Sequence, residues 1–266
     1  MKDYTIFNTA ISYVNNYFNI NNLLNKFRCL RYNYLKKFKN DYFKIYYKKR
    51  YFEVKFKNFS LKFYENPFYD ISVPVKGYLR IGTIKENDII VDAGASNGVF
   101  TLIAAKLTGK DGMVIAFEAD NKNYHKLINN LKLNRINNII AINKALWSEK
   151  CILKFKSNQS DYSSAYFNKN DKNDIIKVNG ATLDEELKKY NIDKINWIKM
   201  DIEGSEIEAI KGCEDILKNK DLRLTIATYH IVNGKKTQEF IEKYLKKLNF
   251  QVITSFKEHL TTYAFK

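Results

Sequence analysis

Two prolines and ten glycines in 266 residues leave little material for a long flexible linker. No repeat of fixed period is apparent, so solenoid and array architectures are excluded. The three cysteines, Cys29, Cys151 and Cys213, are far apart and form no CxxC pair, which argues against a zinc ribbon or a disulfide framework and points to a reducing interior. No unbroken apolar run is long enough to span a bilayer. Asn8, Asn15, Asn16 and Asn19 interrupt any apolar stretch behind Met1, so no secretory leader is read and a cytoplasmic setting is expected. Acids are also scarce, 29 against 45 Lys and Arg, for a net charge of +16. Such a balance suits a polyanionic partner. Abundant Lys, Asn, Ile, Tyr and Phe are equally what an AT-rich genome encodes whatever the function, so the charge alone assigns no partner.

At 45% hydrophobic, the chain can form one α/β domain with a sizeable core plus an extension. It is organised around Ile89-Ile90-Val91-Asp92-Ala93-Gly94-Ala95-Ser96-Asn97-Gly98-Val99-Phe100. Three β-leaning apolar residues lead into an acid and two glycines, and Val99, Phe100, Leu102, Ile103, Ala104, Ala105 and Leu107 supply the apolar face of a helix. The stretch reads as strand, tight turn, helix. Gly94 and Gly98 suit a backbone that turns sharply and lets a ligand lie against it, beside the unpaired N–H groups of a helix beginning near Asn97. Gly112-Met113-Val114-Ile115-Ala116-Phe117 is a second buried strand ending on Glu118, about 25 residues beyond Asp92, where an acid accepts hydrogen bonds from ribose hydroxyls in nucleotide-binding α/β folds. Ala93, Ala95 and Asn97 interrupt the glycine triplet that seats a pyrophosphate, and Asp92 would repel an anion. A ligand with an adenosine, an ammonium and a sulfonium fits better than NAD. S-adenosylmethionine is therefore expected, held by Asp92, Gly94, Ala95, Asn97, Gly98 and Glu118.

From Thr5 to about Asn40, apolar residues recur at helical intervals, giving two amphipathic helices. The second carries Lys26, Arg28, Arg31, Lys36, Lys37 and Lys39, and Lys44, Lys48, Lys49 and Arg50 continue a basic run that reads either as a solvated face or as a contact with an anionic membrane or a partner. Residues 51–64 alternate as a β-hairpin, and 77–84 read as a short helix. A helix over 123–133 and a strand over 139–145 continue a parallel sheet. Between Cys151 and Val178 a short strand gives way to the polar stretch 157–164, either a cover for substrate or a plain surface loop. Thr182 and Glu185 have capping-box spacing. The strand 195–200 runs into Asp201-Ile202-Glu203-Gly204-Ser205-Glu206, placing Asp201 and Glu203 where open α/β sheets bind ligands and Glu206 at a helix start. A strand over 222–228 delivers Tyr229 and His230 beside Asp201, which makes His230 a candidate for proton transfer. His125 and His259 are read as structural. A helix over 237–248 and two antiparallel edge strands within 251–266 complete the chain.

The segments Val91 to Leu102, Ala116-Phe117-Glu118, Thr182-Leu183-Asp184, and Ile198 to Glu206 with Lys211-Gly212 resemble the FkbM family of S-adenosylmethionine-dependent methyltransferases. The resemblance covers roughly residues 84–230, and Lys-x-Asp-x-Glu-Gly-x-Glu is its most specific part. It implies an α/β, Rossmann-like class I methyltransferase fold over residues 69–266, with a seven-stranded, mostly parallel sheet and helices on both faces. A basic, aromatic-rich extension of helices and hairpin precedes it over residues 1–68. Methyl transfer to a hydroxyl is implied, so the expected acceptor is a small molecule or a glycan, its hydroxyl on a sugar, glycan, lipid or secondary metabolite. Asp201, Glu203 and His230 are the expected catalytic residues, with His230 or Asp201 removing the acceptor proton. Clustered acids permit a divalent metal, but capping and substrate positioning account for them without one. A nucleic-acid acceptor is less favoured, because the chain has neither an Asn/Asp-Pro-Pro-Tyr segment nor a Pro-Cys nucleophile. A non-catalytic binding protein of the same fold is the remaining alternative.

Overall fold

The computed structural model describes residues 20–34, 43–72, 77–157, 163–164, 175–256 and 259–266. The chain forms two compact units, Met1–Tyr69 and Asp70–Lys266. In the first, helix α1 (Ile20–Tyr34) accompanies strands β1 (Phe43–Lys48), β2 (Tyr51–Phe56) and β3 (Ser60–Phe63), paired antiparallel in that order. Alternation sorts the faces: Phe43, Ile45, Phe52, Val54, Leu61 and Phe63 are buried, while Lys44, Lys48 and Lys55 stay exposed. The hairpin expected over 51–64 is β2–β3. Strand β1 corrects the reading of residues 43–48 as part of a basic run; its connecting turn, Lys49-Arg50, has no glycine or asparagine to announce it, and Lys49 itself takes φ 59°. The outer edge of β1 is answered from α1. Asn33 Nδ2 donates to the Ile45 carbonyl at 2.7 Å and Asn33 Oδ1 accepts from Ile45 N–H at 2.9 Å, so a side-chain amide stands where a further strand would pair. The helix expected within 5–18 lies outside the described residues, as does the 35–40 end of the second.

The second unit contains strands β4 (Ile89–Ala93), β5 (Met113–Phe117), β6 (Ile139–Ile142), β7 (Ala145–Leu146), β8 (Cys151–Ser157), β9 (Ser163–Ser164), β10 (Ile175–Ala181), β11 (Trp197–Met200), β12 (Arg223–Ala227), β13 (Ile231–Val232), β14 (Lys235–Lys236), β15 (Gln251–Ser255) and β16 (Thr261–Phe265). Seven of them form one sheet in the order β15-β16-β12-β11-β4-β5-β6, parallel except at β15 and β16. This is the Rossmann-like sheet expected from the sequence. Helices α2 (Val99–Thr108), α3 (Asn121–Asn134), α4 (Leu183–Lys189), α5 (Glu206–Lys211) and α6 (Thr237–Lys247) cover it. Val91, Ala93, Ile115, Phe117, Ile198, Met200, Leu224 and Ile226 pack with Leu183 and Leu187 of α4, Ile210 of α5, and Ile241 and Leu245 of α6. Alternate residues belong to the other face, where Ala116 packs with Leu127 of α3 and Asp92 accepts from Thr101 of α2. Burial on both faces explains why the central strands read as nearly continuous apolar runs.

Two expectations along this unit change. The helix expected over 77–84 reduces to Gly77-Tyr78 among the described residues, with bends at 80–82. The strand expected over 139–145 stops at Ile142, and β7 pairs instead with β10 in a second sheet of order β7-β10-β8-β9. Residues 151–157, read as a short strand before a loop, make a full antiparallel ladder with 175–180. The polar stretch 157–164, read either as a substrate cover or as a surface loop, lies mostly outside the described residues. Thr182 caps α4 by accepting from Glu185 N–H at 3.2 Å, as its spacing foretold. All three cysteines are free.

Candidate active site

A cavity opens at the carboxyl ends of β4, β5 and β11 in the second unit. At its β4–β5 end, Gly94 (φ 79°), Ser96 (φ 49°) and Gly98 (φ 87°) carry the chain through a turn that places three residues in the left-handed region. The glycines are fixed by packing. A Cβ on Gly94 would overlap the Asp201 carbonyl oxygen, and one on Gly98 would sit 2.5 Å from Leu127 Cδ1. Gly98 opens α2 without a side-chain cap hydrogen bond. Glu118, just past β5, accepts from Ser96 N–H at 2.7 Å through Oε2 and from Asp120 N–H at 2.9 Å through Oε1. Burial pushes its carboxyl up to about 7, against the lowering effect of those two N–H groups. Each oxygen keeps a second lone pair for a ligand.

Lys199 ties this turn to β11. Strand register sets Lys199 beside Asp92, and its buried ammonium donates to Asp92 Oδ1 at 2.9 Å, to the Gly94 carbonyl at 2.7 Å and to the Ala93 carbonyl at 3.3 Å. Thr101 Oγ1 donates to the other Asp92 oxygen at 2.5 Å. Both carboxylate oxygens of Asp92, a fully buried residue, are thus engaged inside the protein. Asp92 shapes the turn from behind instead of facing the cavity.

At the β11 end, Asp201 gathers three rings. Tyr78 Oη donates to its Oδ2 at 2.5 Å, Tyr229 Oη to its Oδ1 at 3.5 Å, and His259 Nε2 stands 3.6 Å from Oδ2 and 3.5 Å from Tyr78 Oη. Burial raises the Asp201 carboxyl, but His259, Lys199, His230 and the Tyr78 hydroxyl overcome it and hold the group well below the carboxylate range. Burial and the adjacent Asp201 keep the Tyr78 phenol protonated, well above its ordinary value. Behind this group, His230 Nδ1 lies 3.0 Å from Glu206 Oε1, and its Nε2 lies 3.4 Å from Glu203 Oε2 and 3.6 Å from Asp201 Oδ1. Burial lowers the imidazole, yet Glu203, Glu206 and Asp201 together push it up to about 10, so it is a cation at neutral pH. Glu206 Oε1 also accepts from Ile202 and Gly204 N–H, fixing the loop that holds Glu203 at φ 54°. Asp201, Glu206 and His230 bring ligand-type atoms within 4.8 Å of one another, which is close enough for a divalent ion. The imidazolium already supplies positive charge at that place.

The family model described as the methyltransferase FkbM domain matches residues 92–252, more than half of the chain. The chain belongs to the FkbM methyltransferase family. Among solved structures, methyltransferase FkbM from Methylobacillus flagellatus superposes with a TM-score of 0.54 at 20% identity, over 76% of this chain and 50% of that one. Fibrillarin, a pre-rRNA processing protein of Methanococcus jannaschii, gives a TM-score of 0.50 at 15% identity, over 85% of this chain and 98% of that one. Both likenesses establish the fold. A shorter stretch of 57 residues is 44% identical to the tRNA(Phe) (4-demethylwyosine(37)-C(7)) aminocarboxypropyltransferase of Methanocaldococcus jannaschii. It amounts to 21% of this chain and 22% of the transferase. The chain thus spans half of the Methylobacillus protein and about a fifth of the archaeal one.

Within this FkbM domain, Gly94, Ala95, Asn97, Glu118, Asp201 and Glu203 line the cavity, whereas Asp92, Gly98 and His230 stand behind its wall. Three further wall residues, Tyr78, Tyr229 and His259, come from segments distant in sequence, and Lys199 completes the set. The sequence reading took His259 as structural and gave Lys199 no role. A signal for Lys199 was present: a single lysine inside the buried strand Trp197-Ile198-Lys199-Met200 needs a buried acid, and Asp92 lies on the neighbouring strand. Among the described residues no helix is long and apolar enough to cross a membrane.

Proposed function

We propose that this cavity binds S-adenosylmethionine and that the protein transfers its methyl group to a hydroxyl of a small-molecule or glycan acceptor. The observation that carries the reading is the pairing, in one cavity, of a ribose-type acceptor, Glu118, with the proton-handling group His259–Tyr78–Asp201. The cofactor supplies an electrophilic methyl on a sulfonium. The residues fit it: the turn 94–98 gives a close backbone approach, the helix start carries no side-chain cap, and Glu118 retains lone pairs for the two ribose hydroxyls.

His259 is the proton acceptor in this scheme. His230, as a cation, has no free lone pair to take a proton, and it steadies Glu203 and Asp201 instead. His259 Nδ1–H donates to Thr261 Oγ1 at 3.2 Å, which leaves the Nε2 lone pair to take the proton, and Tyr78, itself protonated, orients the Asp201 carboxylate that stabilises the imidazolium so formed. Catalysis is chiefly alignment of the acceptor, with proton removal as the oxygen attacks. The acids on this side of the cavity suit hydroxyl donors and disfavour a phosphate backbone, so a glycan or small polyol fits better than RNA.

Calorimetric titration with S-adenosylhomocysteine tests the cofactor half. Wild type should bind at micromolar concentration, and Glu118→Ala should lose on the order of 10- to 100-fold, the worth of one or two hydrogen bonds to a charged group. Affinity should strengthen as pH rises through about 7, where Glu118 becomes charged. Absence of binding to wild type would remove the reading.

A further inference from the structure

Helix α1 carries its large apolar side chains on the wrong side. Leu23, Phe27, Leu30 and Tyr34 are 68%, 66%, 56% and 75% exposed. At 100° per residue these four fall within an arc of about 60°. The opposite side holds Cys29 and Tyr32, both buried, and the flank holds Asn33, which grips the backbone of β1. Single exposed hydrophobics need no explanation, but four in one line over three turns mark an interaction surface.

Charge identifies what it meets. The helix Ile20–Tyr34 contains Lys26, Arg28 and Arg31 and no acid. Lys26 and Arg31 fall on either side of the stripe, each about 40° beyond its border. The surrounding unit is of one sign as well, with 14 Lys and Arg against 4 Asp and Glu in residues 1–69. Two copies meeting along this stripe would set like charges against each other, as happens when coiled-coil flanks carry a single sign. A nucleic acid would make poor use of leucines at the centre of the contact. A surface with an apolar interior and an anionic rim satisfies both halves.

We infer that α1 lies on anionic lipid bilayers, with Leu23, Phe27, Leu30 and Tyr34 in the acyl boundary and Lys26 and Arg31 at the headgroups. The inference is independent of the chemistry in the cavity.

The test is co-sedimentation of the full chain with phosphatidylcholine vesicles, with and without a third of phosphatidylglycerol. Wild type should pellet only with the anionic vesicles and be released by high salt. Phe27→Glu/Leu30→Glu, at exposed positions where the fold is unaffected, should raise the lipid concentration for half-binding at least tenfold. Lys26→Ala and Arg31→Ala should each cost on the order of fivefold. Leu23→Gln/Phe27→Gln serves as a second, milder pair should the glutamates disturb the helix. The inference is overturned if wild type stays in the supernatant, if the stripe variants pellet like wild type, or if light scattering finds a dimer that Phe27→Glu turns into a monomer. Binding of single-stranded RNA that displaces the vesicles while the stripe variants retain both activities would overturn it too.

Discussion

Replacing Lys199 by methionine keeps the length and bulk of the side chain and removes its charge, so it isolates what the ammonium does. Three acceptors lose their donor: Asp92 Oδ1, the Gly94 carbonyl and the Ala93 carbonyl. Asp92 has no exposure to water and keeps the Thr101 hydroxyl on its other oxygen. Removing one partner of a buried ion pair leaves an uncompensated charge and costs about 3–5 kcal/mol. At about 2–4 °C per kcal/mol for a unit of this size, the melting temperature should fall by roughly 10 °C. Urea denaturation followed by tryptophan fluorescence reads this directly, because both tryptophans, Trp147 and Trp197, belong to the unit that holds the pair. Adding Asp92→Asn removes the stranded charge while leaving an oxygen for Thr101, so the double variant should recover about 2 kcal/mol. A loss below about 1 kcal/mol for Lys199→Met, or a double variant destabilised by the sum of the singles, would refute the account of Lys199 as the tie between the turn and β11.

Two further outcomes follow from the same geometry. Gly94→Ala adds a methyl that overlaps the Asp201 carbonyl at φ 79°, so it should abolish binding of S-adenosylhomocysteine and lower the melting temperature sharply, whereas Gly109→Ala, at φ 74° with open space around it, should cost only about 1–2 kcal/mol. For His230 the folded group is raised to about 10 from an ordinary 6.5, so its stabilisation is complete below pH about 6.5 and is lost as pH rises through about 10. The stability gap between wild type and His230→Gln in urea should therefore narrow from pH 6 to pH 10, and a gap that stays constant would contradict the cationic assignment.

The β4–turn–α2 unit, β5 ending at Glu118 and β11 ending at Asp201 could be read from sequence because each is an apolar run stopped by an acid or a glycine, a local signal. The ring cluster around Asp201 has no such signal. Tyr78 precedes Asp201 by 123 residues and His259 follows it by 58, and only the pairing of β16 beside β12 and the packing of residues 77–78 bring them together. His230 shows the opposite failing. It was placed correctly beside Asp201, but local reading does not count the three carboxylates that surround the ring and hold its proton. Strand β1 has no local signal because Lys49-Arg50 has no turn chemistry, and the single strand read over 139–145 merges two, because Ile139–Ile142 and Ala145–Leu146 are equally apolar while pairing in different sheets.

The contact between Gly94 and the Asp201 main chain has an evolutionary reading. The two ends of the cavity share a hinge pin with no slack, since any displacement of residue 201 would press on the turn and any side chain at 94 would press back. A lineage acquiring a new acceptor would therefore find these two positions frozen and would vary wall residues outside this contact, such as Ala119 and Phe155. Libraries aimed at altered acceptor choice should be diversified there, with residues 92–94 and 199–201 left as a constant chassis.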